Sequence, residues 1–267
     1  MGFFDAMRKA LFPLAGDDPN RPLEPERFLD IPSGENFRDL GGYDTPDGPT
    51  SYQRFVRAGT TAYLTNADLT RLETYGVRRV IDLRSHFEDP RTSDRFSRRP
   101  GVEWLNVPLF DYDLSDPKLT GVKIPDGNYL IDGYLTMISN RPAIRQIFEF
   151  IAGTPEGAAV LFHCAAGMDR TGMTAFLLLG LAGVPREQIV ADYLYSFAPQ
   201  AEVDAVVFEG APIRVREGSW SPMPSRKEAI EFMVDRVEEG YGTVGAYLSS
   251  CGISDDCLAC VRGMLLG

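Results

Sequence analysis

The hydrophobic and polar positions change period several times along the chain, and each change predicts an element. Gln53–Ala58 alternates and predicts a strand. Val77–Leu83 (VRRVIDL) and Val102–Val107 (VEWLNV) are β-rich runs that predict two more. Phe28–Pro32 (FLDIP) predicts a short strand ahead of turns at Gly41-Gly42 and Asp47-Gly48. Thr65–Tyr75 has a helix-start signal, Leu69 and Leu72 at helical spacing, and Gly76 as its stop. Tyr129–Asn140 and Arg141–Ala152 predict two helices, with Pro142 in a first turn. Ala158–Val184 reads as a short buried strand, a tight loop from His163 to Arg170, and an apolar helix. Pro185–Phe197, Ala201–Phe208, Ser225–Glu239, Thr243–Ser250 and Asp255–Leu266 predict further helices, the last three divided by Gly240, Gly242 and Gly252. Glu88–Arg99 is polar and Arg-rich, and Gly210–Pro224 is irregular. Asp111–Asn128, rich in Asp, Pro and Gly, predicts a long loop of the kind that covers sites or binds substrates. Strands alternate with helices at first and helices fill the C-terminal third. That order predicts one α/β domain over residues 27–267, after an N-terminal arm or tail at 1–26.

Composition narrows the partners. The 267 residues are 44% apolar and 24% charged, enough for one large core. A net charge of −11 argues against nucleic acid and anionic membranes, which both need extended basic surfaces. It leaves a small phosphate ligand open, because a few local donors suffice to hold one. No apolar run reaches the ~18–20 residues of a membrane span, so no stable insertion is expected. The start, MGFFDAMRKALFPLAG, carries Asp5 inside its apolar stretch and has no separate charged region, unlike a secretory signal. It reads as a packed or disordered tail or as a short amphipathic anchor. Position 6 is Ala where a myristoylation site wants Ser or Thr. The four cysteines are too few for a disulfide scaffold, and the expected setting is reducing and cytoplasmic, with non-classical secretion left open.

The chemistry concentrates in one loop. Cys164 follows the apolar strand, and Arg170-Thr171-Gly172 opens the apolar helix. A thiol at a helix N-terminus ionises more readily, because the dipole and unpaired N–H groups favour thiolate. Ala165, Ala166, Gly167, Met168 and Asp169 place small residues where backbone must crowd round an anion, and such a cradle of amides binds phosphate. The planar fork of Arg170 suits two phosphate oxygens, and the Thr171 hydroxyl can donate to the sulfur. Singly, an apolar-flanked cysteine is an ordinary core residue and an arginine at a helix start an ordinary surface charge. The coincidence of all the parts points to a phosphate loop with a cysteine nucleophile.

His163-Cys-Ala-Ala-Gly-Met-Asp-Arg-Thr-Gly172 resembles the signature loop of cysteine-dependent protein tyrosine phosphatases, in the form found in a bacterial and fungal branch with lipid-phosphatase-like loops. Asn36–Tyr43, Ile81–Ser85, Asp192–Ser196, Tyr241-Gly242 and Tyr247-Leu248 agree with that branch, so the resemblance spans roughly residues 28–266. It implies a central, mostly parallel sheet flanked by helices. It also implies hydrolysis of phosphate monoesters through a cysteinyl-phosphate on Cys164, with Arg170 and the amides of 165–170 stabilising the transition state and no metal or cofactor required. The acid for the leaving group maps to Asp169, in preference to Asp111, Asp113 or Asp116 of the long loop. His163 is expected to orient the loop rather than act as a base.

Phosphotyrosine in a protein or peptide is the expected substrate, with a small phosphate monoester or an inositol phosphate as the alternative. The branch commonly carries Lys where this chain has Met168, and losing that charge disfavours a highly charged lipid headgroup. Arg38, Arg84 and the set Arg91, Arg95, Arg98 and Arg99 would restore charge if they faced the loop, although the last four also suit a solvated helix face. Arg38, Asp39, Asp82 and Arg84 are expected in loops bordering the site, either orienting Arg170 and contacting substrate or stabilising turns as ion pairs. Cys257-x-x-Cys260 lacks a second pair of ligands, so core packing is expected over metal binding. A non-catalytic phosphate-binding module would share the fold but gives no reason for Cys164, Arg170 and Thr171 together. A sulfurtransferase would leave Arg170 and Thr171-Gly172 unexplained. The oligomeric state is not readable from the chain.

Overall fold

The structure is a computed structural model that describes residues 23–86, 88, 93–110, 129–211 and 223–267. Its centre is a five-stranded sheet of β1 (Arg38–Asp39), β2 (Phe55–Ala58), β3 (Val77–Asp82), β4 (Glu103–Asn106) and β5 (Ala159–His163), in the order β1-β2-β5-β3-β4. Only β1 runs antiparallel; β2, β5, β3 and β4 are parallel. β5 lies in the middle with all five residues buried, which explains its unbroken apolar run. Its side chains alternate between two cores. Val160 and Phe162 face a large cluster under the C-terminal helices, and Ala159 and Leu161 face a smaller one.

The smaller core is closed by α1 (Asn66–Tyr75), through Leu69, Leu72 and Tyr75, together with Leu23, Leu29, Ile31 and Phe37. Thr65 caps α1 in a reciprocal box with Asp68, and Gly76 ends it in the left-handed region. The larger core is closed by α2 (Tyr129–Ser139), α3 (Arg141–Ala152), α4 (Asp169–Ala182), α5 (Arg186–Leu194), α6 (Gln200–Val207), α7 (Met223–Tyr241), α8 (Val244–Ser250) and α9 (Asp255–Leu266). α4 buries ten of its fourteen residues and is its central helix. No helix among the described residues is long and apolar enough to cross a membrane.

Two expectations change. FLDIP is not a strand: Phe28 makes one isolated bridge to Arg38, and then the Ile31 amide turns back onto the Leu29 carbonyl. Pro32, with no N–H, could not have extended a ladder. The second strand starts at Phe55 rather than Gln53, because Gln53 is left-handed (φ 60) and gives its amide to Asp39 Oδ2 at 2.9 Å. The C-terminal CxxC meets the expected packing in part, since Cys257 lies against the larger core. Cys257 is half-buried but Cys260 is exposed, and their thiols lie against the Phe148 and Ala152 carbonyls of α3.

Candidate active site

The site forms at the C-terminal ends of the parallel strands, where open α/β sheets place their ligands. Cys164 is the first residue beyond β5, and α4 begins at Asp169. Between them the loop is held from outside by three donors. The Thr60 amide donates to the Ala165 carbonyl at 2.8 Å, Asn36 Nδ2 to the Ala166 carbonyl at 2.7 Å, and Arg57 Nη2 to the Gly167 carbonyl at 3.0 Å. In a trans peptide the C=O of one residue and the N–H of the next point opposite ways. Turning three successive carbonyls outward therefore turns the amides of Ala166, Gly167 and Met168 inward. Met168 sits at the cap position of α4 and brings no side-chain hydrogen bond, so the first helical amides face the same space. Gly167 has φ 71, and a Cβ there would lie 2.6 Å from the Ala58 carbonyl carbon and the Gly59 nitrogen.

Cys164 is buried. Burial pushes its thiol up, but the Arg170 charge and bonds from the Thr171 hydroxyl and amide outweigh it and hold the thiol below its ordinary value. Thr171 Oγ is also 3.4 Å from the Ala58 carbonyl, a long contact that leaves the sulfur as the stronger claimant on its proton.

Arg170 is aimed by Glu88. Its Nη1 and Nη2 take the two carboxylate oxygens, the second at 3.0 Å. This end-on pairing leaves the Nε edge of the guanidinium for two oxygens of a ligand. Glu88 is itself held by the Ser85 amide at 2.7 Å. Burial would raise its carboxyl, yet the bonds to Arg170 hold it below the usual range. Asp82 and Arg84 brace the turn that carries it: Arg84 Nε and Nη2 are 2.9 and 2.7 Å from the Asp82 carboxylate, and Arg84 Nη1 reaches Thr60 Oγ at 3.3 Å.

His163 lies behind the cysteine and is fully buried. Nδ1 is 3.0 Å from the Cys164 carbonyl and Nε2 is 2.6 Å from Asp94 Oδ2. Both neighbours are acceptors, an arrangement that favours a proton on each ring nitrogen of His163. Burial pulls its pKa down, but the bond to Asp94 and the Asp94 and Asp82 charges raise it overall. Asp94, although buried, is held at about 2 by the same pair. Asp82, Asp94 and His163 lie close together, and each is already engaged: Asp82 by Arg84, Asp94 by Thr61 and His163, and His163 by Asp94 and the Cys164 carbonyl. The cluster is an ion-pair network.

Arg38 and Asp39 are elsewhere. Arg38 donates to the Asp192 carboxylate, the Asp192 carbonyl and Ser196 Oγ at 3.1, 2.7 and 2.8 Å. Arg57 Nη1 takes the other Asp192 oxygen, and Tyr43 Oη joins at 3.0 Å. Two buried guanidinium groups thus share one carboxylate, and Arg57 passes the network on to the loop. Asp39 accepts from the Gly41 and Gln53 amides and from Tyr75 Oη, and burial raises its carboxyl to about 7. It stabilises a turn. Arg95 and Arg99 serve α1, bonding Asn66 and Glu73, and Arg98 is exposed; Arg91 and the alternative acids Asp111, Asp113 and Asp116 lie outside the described residues.

Asp169 opens α4 with its carboxylate partly exposed, accepting from Tyr134 Oη at 2.5 Å and lying 3.5 Å from Arg226 Nη1. Asn36, Arg57, Glu88, Asp94, Tyr134 and Arg226 have no site role in the sequence reading. Asn36 carried a signal, since it lies in the stretch Asn36–Tyr43, and its left-handed backbone (φ 56) is a conformation Asn tolerates.

The family model described as the tyrosine phosphatase family matches residues 29–267. The chain is similar to a tyrosine-protein phosphatase of Nostoc commune, 32% identical over 75% of this chain and 70% of the relative. It is also similar to the triple specificity protein phosphatase PtpB of Mycobacterium tuberculosis, 29% identical over 89% of this chain and 99% of the relative.

Proposed function

The chain belongs to the tyrosine phosphatase family, and from that premise we propose that residues 164–170 are its active centre, with Cys164 as nucleophile, Arg170 and the loop amides as the phosphate clamp, and Asp169 as the acid. Cys164 Sγ attacks phosphorus. As the S–P bond forms, the bond to the leaving oxygen breaks, its electron pair stays on that oxygen, and Asp169 supplies the proton. Water then attacks phosphorus, the S–P pair returns to sulfur, and the Asp169 carboxylate takes a proton from the water. Inorganic phosphate leaves. Arg170 and the inward amides meet the charge on the equatorial oxygens, and their geometry is set before the ligand arrives.

The outward-tied carbonyls of Ala165, Ala166 and Gly167 carry this reading, because they commit three consecutive amides to a ligand. His163 and Thr171 support the cysteine, Asp82 and Arg84 support Glu88, and Arg38 acts at a distance through Asp192. The proposed catalytic unit is 27–267, with 1–26 as an arm or tail. The substrate is a phosphotyrosine protein or peptide, and nucleic acid is not a partner. The four free thiols support a cytoplasmic setting.

Phosphate release from a phosphotyrosine peptide and from an inositol phospholipid, measured side by side, tests the substrate class; the printed specificity of the mycobacterial relative motivates the second arm. Faster turnover of the peptide is expected, and a strong lipid preference would overturn it. In the same assay Arg170→Lys loses the fork and should cost about 10²-fold in kcat or more. Wild-type turnover in that variant would remove Arg170 from the clamp.

A further inference from the structure

Asp169 is held by two side chains that come from outside the loop, and both address the same oxygen. Tyr134 of α2 donates its hydroxyl to Oδ1 at 2.5 Å, and Arg226 of α7 lies 3.5 Å from Oδ1. Neither is loosely placed. Tyr134 is buried, and its hydroxyl is bonded to that of Tyr193 on α5, the rings meeting edge to face at 6.0 Å. Tyr134 has one hydroxyl proton and gives it to Asp169, so Tyr193 is the donor between the two tyrosines. The Arg226 guanidinium lies 3.8 Å from the centre of the Phe197 ring, and Phe197 in turn packs against Tyr193. The Tyr193 ring fits against α4 only because residue 172 is glycine: a Cβ there would lie 2.9 Å from Tyr193 Cδ2. The bonds run from Tyr193 to Tyr134 to Asp169, and Arg226 reaches Asp169 directly. Chains of this kind strengthen one another and fix orientation.

Neither tyrosine is a proton carrier. Burial raises the Tyr134 phenol, with Tyr193 and Asp169 adding to the effect, and burial likewise raises Tyr193. Both remain donors at any working pH. The carboxyl group of Asp169 cannot turn about its Cβ–Cγ bond without breaking both contacts to Oδ1. A proton bound for the leaving group therefore sits on Oδ2.

We infer that Tyr134 and Arg226 are the positioning residues of Asp169, holding Oδ1 so that Oδ2 presents the proton to the leaving oxygen. The inference rests on the assignment of Asp169 as the acid. Its test is the dependence of kcat/KM on the acidity of the leaving phenol across a series of aryl phosphates. Only a leaving group that needs a proton notices a misplaced acid, whereas a general structural loss lowers every substrate alike. Tyr134→Phe and Arg226→Gln should each lose about tenfold on phosphotyrosine and under about threefold on the most acidic phenol, which steepens the plot. Asp169→Asn should steepen it further. A variant line parallel to wild type, or coincident with it, while Asp169→Asn steepens, would overturn the positioning role and leave the acid in place. An unchanged slope in Asp169→Asn would remove the acid assignment and the inference with it. Thermal melts of each variant accompany the kinetics; if Tyr134→Phe is unfolded at the assay temperature, Arg226→Gln decides alone.

Discussion

Burial in a low-dielectric interior penalises a thiolate, so the Cys164 sulfur depends on a few specific contacts to be reactive. Those contacts are the charge of Arg170 and the hydroxyl and amide of Thr171. The sign of the pH effect follows. In the proposed mechanism the thiolate is the attacking form, and a thiol held below its ordinary value sets the acid limb of kcat/KM low. Thr171→Ala removes a donor that favours thiolate, raises the thiol pKa, and should move that limb to higher pH; Thr171→Ser should restore it. A pH–rate profile in which Thr171→Ala leaves the limb in place would detach Thr171 from the sulfur. At this scale Cys164, Arg170 and Thr171 were legible because all three lie in one turn of chain. Glu88 was not: it meets Arg170 across 82 residues, and no local period or spacing encodes such a pairing. For Arg38 the sequence left a site role and an ion pair open; the structure shows the ion pair, with Asp192, a partner that no local spacing could name.

At the scale of elements, the strand–loop–helix unit works because its neighbours hold it open. β2 supplies Arg57 and leads into Thr60, and the turn before β1 supplies Asn36. The Arg57 guanidinium is fully buried, pushed down to about 10 by burial and by Arg38, and Asp192 is the carboxylate that both arginines share. Burial would raise Asp192, but the Arg57 and Arg38 charges hold it below the usual range. Asp192→Asn would leave two buried guanidinium groups without their counter-charge. The expected loss is about 3–5 kcal/mol of stability, read from urea unfolding. Phosphate affinity should fall with it, because the Gly167 carbonyl loses a fixed donor. A change within about 0.5 kcal/mol, the scale of an ordinary surface substitution, would contradict this account. The elements themselves were largely legible. β5 and α4 were marked by unbroken apolar runs, and α1 by its cap and its terminal glycine. FLDIP misled because Leu29 and Ile31 alternate as in a strand, yet they are buried against α1 from a turning backbone.

Across the whole molecule, an acidic chain places Arg170, Arg57 and His163 around one small volume, each paired with its own carboxylate: Glu88, Asp192 and Asp94. Net charge thus spoke to extended partners and was silent about the site. The parallel sheet places that volume at the ends of β2, β5 and β3, and the helical C-terminal third closes it from the side through Tyr193 of α5 and Arg226 of α7. The α/β class and the location of the loop followed from the order of elements. The contribution of α7 did not, because a polar residue on a distant helix looks the same in sequence whether it meets solvent or a carboxylate. All of these supports converge on one sulfur. The most direct test is to quench a phosphotyrosine reaction with acid during turnover and map the phosphoryl group by mass spectrometry. We expect one phosphoryl group on the peptide containing Cys164 in the wild type, and neither adduct nor turnover in Cys164→Ser. Turnover that persists in Cys164→Ser, or a phosphoryl group on another residue, would contradict the account.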